Sequence, residues 1–438
     1  MVGYPVGVAR PHPRFRMLPG MDPSVEVALS GMLAAAEDAT PVNAVEAVTR
    51  ELGAALHART ISFLITDLSG RALVRLAHVP FDSAANGRRD GGEVATVVPF
   101  DGGPQEEALR TQTVQVVSGD TTWTVLAPVT ERGEVIGLLE ITMPAEPTPQ
   151  ALAEIVRTAH ALAFVVIANR RHTDLFEWGQ RTTPFSLSAE IQRRLLPAAF
   201  TCEGGSFTLS GWLEPSASIG GDTFDYSLAR DTLHFSVTDA MGHGVTSALI
   251  ATLGVGSLRN SRRAGHSLTE QADRAGAAIA EHAPVRGAFL TAVLGRLDLN
   301  TGTCDMVNAG HVPPILIRDG SPRELALPRS LALGMFPGRR ARGGAVTLRP
   351  GDRLVIVTDG MHERRAAALD LTARLRGLHA LHPREAVRAL ADGVLAVAGP
   401  TLEDDATLLI IDWHGHHGRP RRSDGGADVS AATSADCR

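Results

Sequence analysis

The chain has 438 residues, a net charge of −6, 44% hydrophobic and 4% aromatic residues, a composition that suits two globular domains rather than a fibre or a disordered chain. It contains no lysine, so all 42 basic residues are arginine, which removes Schiff-base, P-loop and kinase chemistry because each needs an ammonium group at a set position. The acidic balance, with only a short RPRR cluster near the end, leaves no electrostatic footprint for nucleic acid.

Pro5, Pro11, Pro13 and Pro19 break residues 1–20 into a flexible leader with no apolar signal segment. The longest apolar run, 159–168, is about half the roughly 20 residues a bilayer span needs. No transmembrane helix is expected, and the expected compartment is the cytosol. Cys202, Cys304 and Cys437 are odd in number and far apart, which argues for reduced thiols rather than a disulfide frame or thiolate zinc site.

Residues 21–171 show helical periodicity at 24–36 and 42–57, strand-like stretches at 60–67, 72–79, 94–99, 113–118, 123–129 and 134–142, and a closing helix at 148–171. Helices flanking a sheet meander predict an α+β domain. With Asp67-Leu68-Ser69-Gly70 as a hairpin turn and V-I-G-L-L-E-I before the last helix, the order resembles a GAF sensor domain. Such a domain would take a small-molecule or protein signal. A PAS-type or plain dimerisation domain remains an alternative. Residues 172–197 read as a helical connector stopped by Pro197; a homodimer through it is compatible with the pattern, though no heptad run requires one.

From 198 to 413, strands are expected at 206–213, 232–239, 289–299, 303–308, 313–317, 345–349, 353–358 and 406–412, and helices at 245–260, 267–282, 364–378 and 384–398. Turn signals between consecutive strands favour antiparallel pairing, with helices covering packed sheets. Residues 414–438 lack periodicity and are expected to be a disordered tail, in which His414, His416 and His417 have no ligand partner at metal spacing.

Two segments echo each other, HFSVTDAMGHG at 234–244 and RLVIVTDGM at 353–361. Each places an aspartate, Asp239 or Asp359, where a buried strand gives way to a glycine-containing turn. One such aspartate is ordinarily a turn former; two in matched contexts point to a site. Gly220-Gly221-Asp222-Thr223-Phe224-Asp225 and Glu403-Asp404-Asp405 add further carboxylates. An all-oxygen set selects Mg2+ or Mn2+ over zinc. Two such ions roughly 4 Å apart can lower the pKa of a shared water for in-line attack on phosphorus. No covalent nucleophile motif competes with that reading.

The series GGDxFD, TDAMGHGVxSAL, FLTAVLGRLDLxTG, VNAGHVPPILI, TDGMxE and DDATLL, in that order over about 210 residues, resembles the bacterial SpoIIE-type branch of the protein phosphatase 2C-like, metal-dependent serine/threonine phosphatases. The leading EIQRRLLP resembles the helix that opens such a domain. The resemblance implies an α-β-β-α sandwich holding two Mn2+ or Mg2+ ions. It further implies that Asp239 bridges the metals, that the Ala240 carbonyl is a ligand, and that Asp222, Asp359 and Asp404 complete the set, with Asp222 and Asp239 acting in catalysis through the bound water. Asp225 and Asp405 would support the site. The family context leaves Glu363 without a clear part. His243 reads as a turn or cap residue and His311 as a structural turn. The implied substrate is a phosphorylated anti-sigma-factor antagonist.

Two rivals stand beside this reading. The fold could serve as a silent binding module. Gly220-Gly221-Asp222-Thr223-Phe224 also resembles the GGDEF signature of diguanylate cyclases, but Thr223 replaces its glutamate and the lysine such an enzyme needs is missing.

Overall fold

The computed structural model describes residues 23–81, 96–182, 185–214, 220–336, 338–362, 370–398, 402, 404–431 and 433. The leader, Glu363 and Cys437 lie outside them. Helices α1 (Pro23–Asp38) and α2 (Ala44–Ala55) lead into β1 (Thr60–Thr66), β2 (Ala72–Pro80) and β3 (Thr96–Pro99). Then come α3 (Pro104–Thr111), β4 (Gln115–Ser118), β5 (Trp123–Glu131), β6 (Glu134–Met143) and α4 (Pro149–Asn169). The strands form one antiparallel sheet in the order β3-β2-β1-β6-β5-β4.

Period-two alternation decides which side chains each face buries. Ile61, Phe63, Val125 and Ile141 join Val48 of α2 and Leu162 of α4 in one core, while Leu64, Leu73, Leu126 and Leu138 meet Leu109 of α3 on the opposite face. The α3 helix was not anticipated, because eight residues give barely two turns of pattern; Pro104 at its start and Glu106 and Glu107 in its first turn are the signals that stood there. The Asp67 carboxylate closes the β1–β2 turn by accepting from the backbone N–H groups of Arg71 and Ala72, both at 2.9 Å.

Helix α4 is long and apolar enough, by length and composition alone, to cross a membrane. The run 159–168, which already takes in His160, understates this helix because polar residues such as Thr158 bound it without breaking the turn. Its Ile155, Ala159, Leu162, Ala163 and Val166 pack into the domain core, as a core-facing helix does.

Two short helices, α5 (Leu175–Gly179) and α6 (Leu187–Leu195), form the connector. Next come β7 (Thr201–Glu203), β8 (Phe207–Glu214), β9 (Thr223–Leu228) and β10 (Thr232–Ala240), then α7 (Gly244–Arg263) and α8 (Leu268–His282). A second run of strands follows: β11 (Leu290–Asp298), β12 (Thr303–Ala309), β13 (Ile315–Arg318), β14 (Ser321–Glu324), β15 (Arg329–Ser330), β16 (Gly343–Thr347) and β17 (Arg353–Val357). A 3-10 turn at Asp359–His362, α9 (Leu371–Gly377), α10 (Pro383–Ala398) and β18 (Ala406–Trp413) end the domain.

One sheet runs β15-β12-β11-β10-β9 with β16 also on β12, and the other β14-β13-β17-β18-β8-β7. Phe224, Phe235, Val237 and Val293 of the first interdigitate with Phe207, Leu209, Ile356 and Leu409 of the second. On the outer faces, Ile250 and Val255 of α7 and Ile279 of α8 cover Leu290 and Leu294, while Leu390 and Val394 of α10 cover Val355 and Ile410. The result is a four-layer α-β-β-α arrangement. Strand β9 was not foreseen: two glycines ahead of it read as a loop, and tertiary pairing with β10 overrides them.

The tail differs from its expected disorder over 414–431. These residues follow an irregular path with Ala427 and Asp428 buried. The Asp428 N–H donates to both oxygens of the buried Glu203, at 2.8 and 3.0 Å, and Arg419 pairs with Asp428 at 2.8 Å. Backbone polar groups can be satisfied by scattered side chains as well as by a ladder, so the lack of periodicity did not mean lack of structure. His414 is likewise engaged, its Nε2 lying 2.8 Å from the Thr208 hydroxyl.

The N-terminal domain packs on the last helix and the tail. Arg110 pairs with Glu385 at 3.2 Å, Arg388 pairs with Glu106, and Arg384 donates to the carbonyls of Gly133 and Arg110. The Gly133 N–H in turn donates to the Gly426 carbonyl at 2.9 Å.

Candidate metal and phosphate site

The ends of β10, β17 and β18 meet the segment before β9. The Thr358 N–H donates to the Thr407 carbonyl at 3.1 Å, and the Thr407 N–H donates to the Thr358 hydroxyl at 3.0 Å. Both hydroxyls then donate to one oxygen of Asp222, each at 2.7 Å. This fixes Asp222, from the first sheet's edge, against the strand ends of the second. On its other side, Gly221 accepts from the Ala240 N–H at 3.3 Å, and a Cβ at Gly221 would lie 2.7 Å from the Ala240 carbonyl oxygen. Only glycine permits that approach. A Cβ at Gly360 would collide with the Asp405 carbonyl oxygen, so the Asp359-Gly360 turn and the Asp404-Asp405 pair fit together only with glycine there.

The sequence-derived aspartates fall at one end of the sandwich, near enough for their charges to raise one another's pKa. Asp222 is 3% exposed; burial, then the charges of Asp239 and Asp405, push its carboxyl well up against the pull of the two threonine hydroxyls. Burial and the charges of Asp359, Asp404 and Asp405 push Asp239 up to about 7, with the Thr291 hydroxyl opposing. Asp404 is half-buried and raised by burial first, its bond from the Asp405 N–H resisting and Asp359 and Asp405 adding to the shift. Asp359 itself is exposed at the start of the 3-10 turn.

No cation is among the groups shifting Asp222, Asp239 or Asp404. Like-charged buried carboxylates are costly unless something positive compensates them. The donor set is oxygen throughout, which suits a hard divalent ion. Among the described residues, no three His, Cys, Asp or Glu side chains are drawn together into a finished cage, consistent with carboxylates held near one another by backbone and hydroxyl contacts while repelling each other.

Asp405, 1% exposed, accepts from the Gln192 amide at 2.6 Å and the Gly221 N–H at 3.1 Å. Asp225 pairs with Arg259 at 2.9 Å and Arg262 at 3.1 Å, locking β9 to α7. His243 is exposed at the N-cap of α7 and makes no side-chain cap bond. His311 is buried in a turn closed by two bonds with Asn308, at 2.9 and 3.1 Å. Its Nε2 is buried without a hydrogen-bond partner among the described residues, and burial holds its pKa low while the Asp359 charge opposes.

Four residues at the site had escaped notice. Thr358, Thr407 and Thr291 stand inside the VTD, DAT and FLTAVL motifs as neighbours that those motifs do not mark as site residues. Gln192 is the other: it lies on connector helix α6, yet its amide donates to both the Asp405 carboxylate and, at 2.8 Å, the Asp222 carbonyl.

Residues 229–414 match the family model described as Stage II sporulation protein E (SpoIIE), and this part of the chain is a SpoIIE/PP2C-type phosphatase domain. Asp239, Asp359 and Asp404 fall inside the match; Asp222 lies just ahead of it. Among curated proteins, the phosphoserine phosphatase RsbP of Bacillus subtilis (strain 168) is 24% identical over 224 residues, covering 47% of this chain and 52% of the relative. Protein IcfG of Synechocystis is 22% identical over 220 residues, covering 44% of this chain and 34% of the relative. The chain thus spans about half or less of the curated relatives it matches. Among solved structures, the RsbU and RsbW domains of Rv1364c from Mycobacterium tuberculosis align at 24% identity with a TM-score of 0.43, covering 51% of this chain and 63% of that one.

Proposed function

We propose that this protein is a metal-dependent serine/threonine phosphatase that dephosphorylates a phosphoserine or phosphothreonine on a regulatory partner, an anti-sigma-factor antagonist, under control of its N-terminal domain. The observation that carries the chemistry is the gathering of Asp222, Asp239, Asp359 and Asp404 at one sandwich end, with no cation among the described residues shifting Asp222, Asp239 or Asp404. Those four carboxylates and the Ala240 carbonyl would hold Mn2+ or Mg2+. When bound, such ions supply a water of lowered pKa and offset charge at phosphorus.

The chain's own residues do the positioning. Thr358 and Thr407 hold Asp222 by one oxygen, leaving its other oxygen for the site. Gln192 and the Gly221 N–H hold Asp405 back from the centre, where it buttresses the Gly221-Asp222 backbone. Rigid support of this kind keeps reacting groups in place without reorganisation. The match to a SpoIIE-type model and the likeness to a phosphoserine phosphatase support the substrate class.

The test is release of phosphate from a phosphorylated antagonist by the full chain with Mn2+ or Mg2+. Chelation should abolish turnover, and Asp239→Asn should lower it by about 10²-fold or more with the melting profile retained. Full activity in Asp239→Asn sinks the mechanism. Tight binding of the phosphoprotein without any turnover would instead carry the silent-module reading.

The N-terminal domain is read as a GAF-type sensor, supported by its single antiparallel sheet between helices and by its seat on α10. Arg110→Ala combined with Arg388→Ala loosens that seat and should change the phosphate-release rate. An unchanged rate argues against control from this domain.

A further inference from the structure

A cavity of about 240 Å³ lies where the N-terminal domain, the connector and the phosphatase domain meet. Its walls are largely apolar: Ile136 and Val166 belong to the first domain, Phe176 to the connector, and Phe200 and Trp212 to the second. Arg170, at the end of α4, and Arg193, on α6, also line it.

The charges on these walls are unevenly matched. Arg110 is taken by Glu385, Arg388 by Glu106, Arg71 by Glu214, and Arg384 by two backbone carbonyls. Of the acids, Asp67 is engaged by N–H groups and hydroxyls, Glu134 accepts from the Thr201 N–H at 2.7 Å, Glu131 pairs with Arg132 and Asp392 lies near Arg388 and Arg71. Arg170 and Arg193 are left over. Neither has a carboxylate of a described residue within 4.0 Å, and the Arg193 guanidinium has the Phe200 ring 5.3 Å away as its contact. Burial pulls Arg193 below the usual guanidinium range, with Glu134 resisting and Arg170 deepening the shift. Burial also pushes the Glu134 carboxyl up, which weakens the nearest source of compensation.

Two guanidinium groups lining one apolar chamber, close enough for Arg170 to lower the pKa of Arg193 and without ion pairs among the described residues, describe a receptor for an anion with an apolar body. We propose that this cavity binds a small organic carboxylate, with Arg170 and Arg193 gripping the carboxylate and Ile136, Val166, Phe176, Phe200 and Trp212 enclosing an aromatic or short aliphatic body. Its volume is below the roughly 300–1,000 Å³ of drug-sized sites, so the body is about the size of one or two rings. The site is separate from the aspartate cluster, and its occupancy is measurable without turnover, so its failure and the failure of the phosphatase reading are distinct results.

The test is isothermal titration calorimetry of the full chain with 2-naphthoate as the probe and 2-naphthamide as its neutral counterpart. The expected result is one saturable naphthoate site per chain, at least tenfold weaker binding of the amide, and at least tenfold weaker naphthoate binding in Arg193→Gln and Arg170→Gln. Circular dichroism melts establish which variants keep the fold, and Arg170→Gln, on a separate helix, serves if Arg193→Gln does not. Absence of saturable naphthoate binding, equal affinity for the amide, or undiminished affinity in the folded variants overturns the proposal.

Discussion

The contact between Gln192 and the acid cluster sets up a double-mutant cycle. Gln192 is 1% exposed, and its amide spans the Asp405 carboxylate at 2.6 Å and the Asp222 carbonyl at 2.8 Å. Gln192→Leu keeps the volume but strands both acceptors. A hydrogen bond to a charged group contributes about 1.5–3 kcal/mol and one to a neutral carbonyl about 1 kcal/mol, so the change should cost roughly 2.5–4 kcal/mol. For a domain of this size that is a drop of about 5–15 °C in the phosphatase transition. Differential scanning calorimetry of Gln192→Leu, Asp405→Asn and the double variant would read it. Because the two groups touch, the single effects should exceed additivity by about 1.5 kcal/mol or more. Singles that add to within about 0.5 kcal/mol, the behaviour of independent sites, would refute the bond's part in holding the cluster.

Asp225→Asn should weaken the clamp on Arg259 and Arg262 and lower stability by about 2–4 kcal/mol while leaving turnover per folded molecule near wild type; a selective loss of turnover would mean that Asp225 belongs to the chemistry. His414 tests pH dependence. Burial, with Arg419 adding to it, lowers its pKa from 6.5 to about 4, so the folded state favours the neutral ring. Its stabilisation is present above pH 6.5 and is lost as pH falls toward 4, because the unfolded chain takes up the proton first. At about 1.4 kcal/mol per unit, urea unfolding should show a loss of about 2 kcal/mol between pH 7.5 and 5 that His414→Asn lacks. An identical pH dependence in that variant would refute the depressed His414 pKa in the folded state.

Strong periodicity was legible in the sequence because burial on one face forces it. Val237 and Val355 fall in strands within about a residue of their expected ends, and Asp239 and Asp359 stand where buried strands stop. What escaped was tertiary in origin. Strand β9 depends on a partner found by chain folding, and α3 is too short for a pattern to accumulate. The threonines that hold Asp222 are small polar residues whose importance comes from where their hydroxyls point. Gln192 lies in the EIQRRLLP segment, whose resemblance marks only a helix, so its hydrogen bond to Asp405 across 213 positions has no signal of its own. The tail misled for the converse reason: its order comes from the Glu203 carboxylate waiting for it.

That last contact changes what the word linker means here. The chain leaves the first domain at α4, builds the second, and then returns, so that Gly426 closes on Gly133 and Asp428 on Glu203. The returning tail adds its own fastening to those made by α10, so the two domains are not strung on the connector alone. A protease cut in the connector near 182 would therefore leave two fragments still clasped, and a stop codon after Trp413 would undo the buckle while leaving every strand and helix in place.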